Sequence, residues 1–420
     1  MKLTTTFIGM VFFLISCHSY HPNPSGCLTA TIRESLSDIT TLHLNDEIES
    51  ASYIPLEVTA DNASLIDGVL NYAVTDKYIY ILPVKEARIV LFDRQGRFVK
   101  TLIPFGQAPG ELNSAISSMQ TDIKNNKLYL FSANQIFVYT LEGDFIEQFN
   151  HNYQSVIQYK TGDDRFASVA FPYTPFEGNS YGIGIFTGKG DTILTKNNFY
   201  SSLVSREKSG FTVCMAAAYS DRQNSLLFKT GSNDTIFRIS DDSIRAACVL
   251  NLQNSDNEVI RALDITDFST LRGKQGEDRD IFVADLFETS KQYYIRFRHN
   301  QGHYVASINK KTAKTLVEKC EQPGTLKEMA DANLLHGMLG TKSYRQFPVW
   351  GRVLGDELVQ VITPYELDLY KDIRSITIPE ALRREDNEGN PIFVFYKLKI
   401  VSSNKTGLNP SLSRYMERFG

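Results

Sequence analysis

Lys77-Tyr-Ile-Tyr-Ile-Leu82, followed by Ala87-Arg-Ile-Val-Leu-Phe-Asp-Arg-Gln-Gly-Arg-Phe98, decides the fold, because the same pattern returns as Asn126-Lys-Leu-Tyr-Leu-Phe131 and Gln135-Ile-Phe-Val-Tyr-Thr-Leu-Glu-Gly-Asp-Phe145. The matching tyrosines, Tyr80 and Tyr129, stand 49 residues apart, and the matching glycines, Gly96 and Gly143, stand 47 apart. Each copy reads as strand, turn, strand, glycine-containing hairpin and outer strand. Its length is that of a blade repeat. A single such unit leaves both faces of its sheet apolar and uncovered; stacking neighbours around an axis covers them.

Working outward, weaker echoes appear at Ser225-Leu-Leu-Phe-Lys229 with Asp234-Thr-Ile-Phe-Arg-Ile239, and at Gln292-Tyr-Tyr-Ile-Arg-Phe297 with His303-Tyr-Val-Ala-Ser-Ile308. A more diverged unit runs from Tyr153 to Thr195 and a last one from Trp350 to Lys399. The fold class is therefore all-β, a six-bladed β-propeller over residues 45–405 with small helical insertions. Helical patches are expected at Leu326–Leu335, Glu366–Ile373, Pro379–Glu385 and Pro410–Phe419, the last inside a C-terminal tail, residues 406–420. Glu49-Ser-Ala-Ser-Tyr-Ile-Pro-Leu-Glu-Val58 is a strand outside the first repeat. It is expected to close the ring by pairing into the last blade, since full closure removes sheet edges.

The N-terminus reads as an address. Lys2 precedes an apolar run, Phe7 to Ile15, that is too short to stay in a bilayer as a span. It ends in Leu14-Ile-Ser-Cys17, which resembles the lipobox of bacterial lipoproteins. Residues 1–16 are then a signal peptide, Cys17 the lipid-attachment residue, and residues 17–44, polar and rich in Pro and Gly at their start, a tether. No acidic residue follows Cys17 before Glu34, which points to a lipid-anchored protein on the outer membrane facing the periplasm.

Composition sets the outer bounds. Hydrophobic residues make up 42% and charged residues 22%, a globular balance, and 21 Tyr and 26 Phe against one Trp lean toward strand-formers. A net charge of −4 offers no basic field for a phosphate backbone, so no nucleic-acid partner is expected. Of the five cysteines, Cys214 and Cys248 sit in apolar runs that suit buried thiols. An oxidising compartment permits a disulfide among Cys214, Cys248 and Cys320 without requiring one.

On these residues the chain resembles the six-bladed β-propeller lipoproteins of Bacteroidetes, which are distantly similar to NHL-repeat propellers. Ile54-Pro-Leu-Glu57, Leu65-Ile-Asp-Gly68 and Phe92-Asp93 with Gly96-Arg-Phe98 carry the resemblance early in the chain. Gly106-Gln-Ala-Pro-Gly-Glu111 is similar to the family's Gly-Gln-Gly-Pro-Gly-Glu loop, with Ala108 in place of a glycine. Ser232-Asn-Asp-Thr-Ile-Phe-Arg238 and Gly389-Asn-Pro-Ile-Phe-Val-Phe-Tyr-Lys-Leu-Lys399 resemble later signatures. The resemblance implies the fold and supplies no catalytic residue.

Motifs for chemistry are sparse. The Gly106 loop lacks the Lys-Ser/Thr that completes a phosphate loop and reads as a tight turn between blades. His299 and His303 stand four apart, a zinc spacing on a helix, but Asn300-Gln-Gly302 between them is hairpin chemistry. The pair is a weak metal candidate, and no cofactor motif is present. Asp191-Thr-Ile193 and Asp234-Thr-Ile236 resemble O-glycosylation acceptors but read more simply as turn-to-strand starts. The sequence thus favours a cell-envelope binding or scaffold protein for a glycan, peptide or protein partner. The competing reading is a hydrolase or lyase with its site at the mouth of the axial channel. Deleting residues 45–58 is expected to collapse thermal stability if they close the ring; a variant that melts like wild type in a thermal scan contradicts this.

Overall fold

The computed structural model describes residues 27–42, 47–85, 88–104, 106–108, 110–132, 135–151, 157–169, 181–197, 216–220, 225–229, 234–253, 281–300, 302–320, 352–355, 357–364 and 389–399. The four expected helical patches and Cys17 lie outside these residues.

Strand β1 (Leu28–Thr29), a single helical turn α1 (Ile32–Ser35) and β2 (Ile48–Pro55) precede the blades. Blade 1 holds β3 (Val69–Val74), β4 (Tyr78–Pro83), β5 (Ile89–Asp93) and β6 (Phe98–Ile103). Blade 2 holds β7 (Ile116–Asp122), β8 (Lys127–Ser132), β9 (Gln135–Thr140) and β10 (Phe145–Asn150). Blade 3 is β11 (Ile157–Gly162), β12 (Arg165–Val169), β13 (Tyr181–Phe186) and β14 (Thr192–Asn197). Blade 4 is β15 (Ala216–Ser220), β16 (Ser225–Lys229), β17 (Thr235–Ser240) and β18 (Ser243–Val249), with β1 added in parallel at its outer edge. Blade 5 comprises β19 (Phe282–Glu288), β20 (Gln292–His299), β21 (Gly302–Asn309) and β22 (Thr315–Cys320). Blade 6 comprises β23 (Arg352–Leu354), β24 (Glu357–Ile362) and β25 (Ile392–Leu398), completed by β2. The six sheets form a six-bladed β-propeller.

The period-two text of the central strands explains this arrangement. Tyr80 and Leu82 face blade 2, where they meet Leu128, Leu130 and Tyr139. Ile79 and Ile81, one residue out of phase, face blade 6 and meet Val359, Phe393 and Phe395. Strands buried on both faces carry apolar residues at every position rather than at alternate ones. The remaining junctions repeat the logic: Phe131 with Phe166, Leu226 with Ile185, Leu227 with Ile295, and Val305 with Val394 belong to four further shared clusters.

Ring closure is by β2, as expected. Tyr53 lies opposite Val394 and Pro55 opposite Ile392, and the register holds to Ile48 opposite Leu398 through one bulge between Ile48 and Ser50. Pro55 is tolerated because β2 is an edge strand.

The segment expected to be a tether runs, from Cys27 onward, along the outside of the ring. The Ala30 amide donates to Val249 O at 2.7 Å on blade 4, and the Thr40 amide to Val317 O at 2.8 Å on blade 5. Ala30 and Ile32 are fully buried against these blades. This strap, residues 28–42, binds blades 4 and 5, and β2 then pairs into blade 6.

The repeated glycines occupy the hairpins between third and fourth strands. Gly96 has φ +82°, and a Cβ there would collide with Pro55 O, at the end of the closing strand; Gly143 has φ +95° and lies under Leu102. The outer strands of blades 6 and 1 thus cover the hairpins of blades 1 and 2, which leaves room only for glycine at Gly96 and Gly143. Gly96→Ala is expected to cost at least about 2 kcal/mol, from left-handed strain plus the clash, measured by urea unfolding.

Candidate functional site

The innermost strands have one edge with no strand neighbour, so their peptide groups need other partners. Blades 1 to 3 meet this need with side-chain amides and hydroxyls. Asn71 Nδ2 donates to Ser117 O at 3.1 Å, and Ser118 Oγ to Gln158 O at 3.0 Å. Gln120 makes a two-way bond with Lys160: its Nε2 donates to Lys160 O at 3.1 Å, and its Oε1 accepts from Lys160 N at 2.8 Å. Gln158 Nε2 donates to Ser132 O at 2.8 Å. Ser118, Gln120 and Asp122 alternate on one face of β7, and this stripe zips blade 2 to blade 3. Where blades 1 to 3 line the axis, the wall is polar and hydrogen-bonded from blade to blade, suited to holding a shape.

The most shielded charges sit at blade junctions. Arg238 on blade 4 grips Glu288 on blade 5 with two bonds of 2.9 and 2.8 Å, and Lys310 Nζ reaches the same carboxylate at 2.5 Å. Burial alone would raise Glu288, but the two cations outweigh it and hold the carboxyl below its ordinary value. Burial also lowers the Lys310 ammonium, against the pull of Glu288. Lys160 pairs with Asp122 at 3.0 Å between blades 3 and 2. Arg94 Nη2 on blade 1 donates to both carboxylate oxygens of Glu357 on blade 6, at 2.8 and 2.7 Å, and the guanidinium lies 3.8 Å over the Phe395 ring. Among the described residues, three junctions therefore carry a shielded ion pair whose partners come from different blades.

A second set of staples fixes the connections. Asn390 is fully buried; its Oδ1 accepts from Ile66 N at 2.7 Å, and its Nδ2 donates to Glu57 O and Ser64 O at 2.6 and 2.8 Å. Asp234 does the same in blade 4, accepting from Leu250 N through its backbone and from Leu252 N through Oδ2. Arg88 in blade 1 donates to Ala63 O and Leu65 O, both at 2.8 Å. All three stand just before a third strand. The role of Asn390 and Asp234 emerges only in the fold; a polar residue two positions before an Ile-Phe pair, as in Asn390-Pro-Ile-Phe393 and Asp234-Thr-Ile-Phe237, is the signal that points to it.

Glu111 folds back so that its carboxylate accepts from Ala108 N at 2.9 Å, and a Cβ at Gly106 would collide with it. The loop is thus filled by its own carboxylate, and only Gly110 takes positive φ, +84°. His299 and Gly302 are opposed across a hairpin, with Asn300 at φ +45° and a 3.0 Å contact between the Asn300 amide and His299 Nε2. The side chain of His303 lies outside the described residues, and among those described no three His, Cys, Asp or Glu residues are grouped for a metal. Cys248 is a buried free thiol. Cys214 and the side chain of Cys320 lie outside the description. Thr192 is exposed at the start of an outer strand, whereas Asp234 belongs to the staple above and Thr235 opens β17 opposite Val249.

The strands alternate in direction, so their connections divide between two rims. One rim has only short turns, such as 75–77, 94–97, 187–191 and 310–314. From the other leave 170–180, 198–215, 250–281, 321–351 and 363–391. No helix among the described residues is long and apolar enough to cross a membrane.

The fold has solved counterparts. A Bacteroides fragilis NCTC 9343 protein described as exported (BF0058) superposes with a TM-score of 0.63 at 16% identity, covering 89% of this chain and 99% of its own. A Bacteroides vulgatus member of the duf4221 family gives a TM-score of 0.47 at 11% identity, over 84% of this chain and 97% of its own. No curated protein matches the sequence.

Glu288→Gln is expected to cost about 3 kcal/mol, since it strands two buried cations. Because folding lowers the Glu288 pKa, its contribution is present above about pH 4.5 and is lost as pH falls through the folded value. Thermal scans should therefore show a flatter acid limb for the variant. The profile of a domain family of unknown function, DUF4934, matches residues 28–397, from the strap to the last strand, and the chain belongs to that family.

Proposed function

We propose that this protein is a lipid-anchored envelope scaffold whose rigid ring presents one rim to a glycan, peptide or protein partner. The observation that carries the reading is the asymmetry of the rims. A ring stapled at its junctions fixes the positions from which five long connections leave, while the opposite rim is closed by short turns. Binding residues are disproportionately held on connections positioned by a rigid scaffold. The axial amides are spent on neighbouring strands, which suits support of a surface rather than proton transfer.

The N-terminal signals supply the address. Acylation of Cys17 would place the body about ten residues from the membrane, since the strap is bound to blade 4 from Leu28 onward. The absence of acidic residues before Glu34 supports the periplasmic side of the outer membrane. An exported neighbour of the same fold is compatible with this address.

Two measurements test the proposal. Processing should be blocked by globomycin and lost in Cys17→Ala, with the variant released from the membrane fraction; unchanged processing contradicts the anchor. Glycan and peptide arrays probed with the soluble chain should give saturable binding. If no array or envelope extract yields a partner, the scaffold reading fails.

A further inference from the structure

We propose that the short-turn rim of blade 5 docks on the anionic phospholipid headgroups of the membrane that holds the anchor, so that the long connections face away from it. The proposal rests on the anchor reading above. Strand β1 runs parallel to β18, with Leu28 opposite Cys248 and Thr29 opposite Val249. Strand β18 starts from the hairpin at Asp241-Asp242, on the short-turn rim, and ends at Val249, where the connection 250–281 leaves the other rim. The chain therefore enters β1 heading away from the short-turn rim, and a tether from Cys17 approaches from that side. From Cys17 to Leu28 the chain spans at most ~36 Å. Passing β18 from Cys248 back to Ser243 uses roughly 17 Å of it. The remainder lets the charges of that rim come within a Debye length, ~8 Å, of the leaflet.

The charge on that rim is uneven, and its basic part lies beside the strap. Lys291, Lys311 and Lys314 are exposed on the two turns of blade 5, and the Lys310 amide donates to Lys291 O at 2.8 Å, which holds those turns together. The Asn309 carboxamide oxygen accepts from the Lys311 and Thr312 amides, both at 3.0 Å, and fixes the hairpin that carries two of the lysines. The carboxylate of the blade at this rim, Glu288, is already taken by Arg238 and Lys310. Among the described residues, none of the three lysines has an ion-pair partner. Next to Lys314, Thr315 accepts from the Thr31 amide at 3.1 Å and, through its carbonyl, from Ser35 Oγ at 3.3 Å. The patch thus adjoins the segment through which the tether enters.

Asp163, Asp164, Asp241 and Asp242 are exposed on the same rim at blades 3 and 4, where the Asp241 amide donates to Thr161 O at 3.1 Å. An anionic leaflet repels these and attracts blade 5, so the ring leans on its blade 5 edge. Each lysine near such a surface raises partitioning about fivefold, and three together roughly 100-fold. That is weak for a free protein and sufficient to orient one already tethered. The long connections then point into the space where a partner can reach them.

The test is acetylation footprinting of lysines on the full chain in native envelopes, before and after detergent solubilisation, read by mass spectrometry. Lys291, Lys311 and Lys314 should label several-fold more slowly in the membrane than in detergent. Lys85, its side chain 81% exposed on the opposite rim, and Lys189 on blade 3 should label alike in both. Protection of Lys85 instead, or no protection of any of these lysines, in chains with processed Cys17 overturns the proposal while leaving the anchor intact. Protection that persists in detergent assigns the patch to a protein partner and overturns it as well. If Cys17 is not processed, the anchor reading fails by itself, and the patch is tested by flotation of the same chain with vesicles of phosphatidylethanolamine and phosphatidylglycerol, against phosphatidylcholine alone. Wild type should then partition to the anionic vesicles roughly 100-fold better than a Lys291→Gln, Lys311→Gln, Lys314→Gln variant, a difference removed by high salt. Equal flotation of the two overturns the patch.

Discussion

Pairing of the closing strand with the last blade is the contact on which the remaining structure depends. Every blade is apolar on both faces, so each of the shared clusters exists only because the next blade is present. Six blades in an open arc would leave the Ile79–Ile81 face of blade 1 and the Val359–Phe393 face of blade 6 in water. Burying side chains of that size stabilises by about 1.5–3 kcal/mol each. The seven residues of β2 opposite β25 hold that junction shut from its outer edge, and the Arg94–Glu357 pair and Asn390 reinforce it.

The same economy governs the polar groups. Three shielded ion pairs, Arg94–Glu357, Lys160–Asp122 and Arg238–Glu288, cross between blades, and their burial makes each partner costly to lose. Side-chain amides complete the inner strands, where backbone partners run out. The strap extends this stapling to the outside of blades 4 and 5. A ring fixed at its rim, axis and circumference has little freedom of its own, which is the property a presenting surface needs.

Much of this was legible in the sequence. The tyrosines and glycines at 47–49-residue spacing report a blade because period-two apolar text and a left-handed turn are local requirements. The closing strand was legible too, as a strand with no place in the repeat. The strap was not: Leu28, Ile32 and Leu42 are too scattered to show a period, and their partners lie more than 200 residues away. The ion pairs were hidden for the same reason, since Arg238 and Glu288 are ordinary residues until two blades meet. Asn390 and Asp234 were visible as text, but the connections they hold could be known only from the fold. The axial stripe of Ser118, Gln120 and Asp122 looked like an unremarkable polar strand.

Hydrogen exchange followed by mass spectrometry tests the central claim most directly. If the ring is closed by its N-terminal strand, the amides of residues 48–55 should exchange as slowly as those of β4 and β8, through opening of the whole ring. Exchange of 48–55 within seconds, beside protected central strands, would show a ring that holds together without its closing strand and would contradict the account.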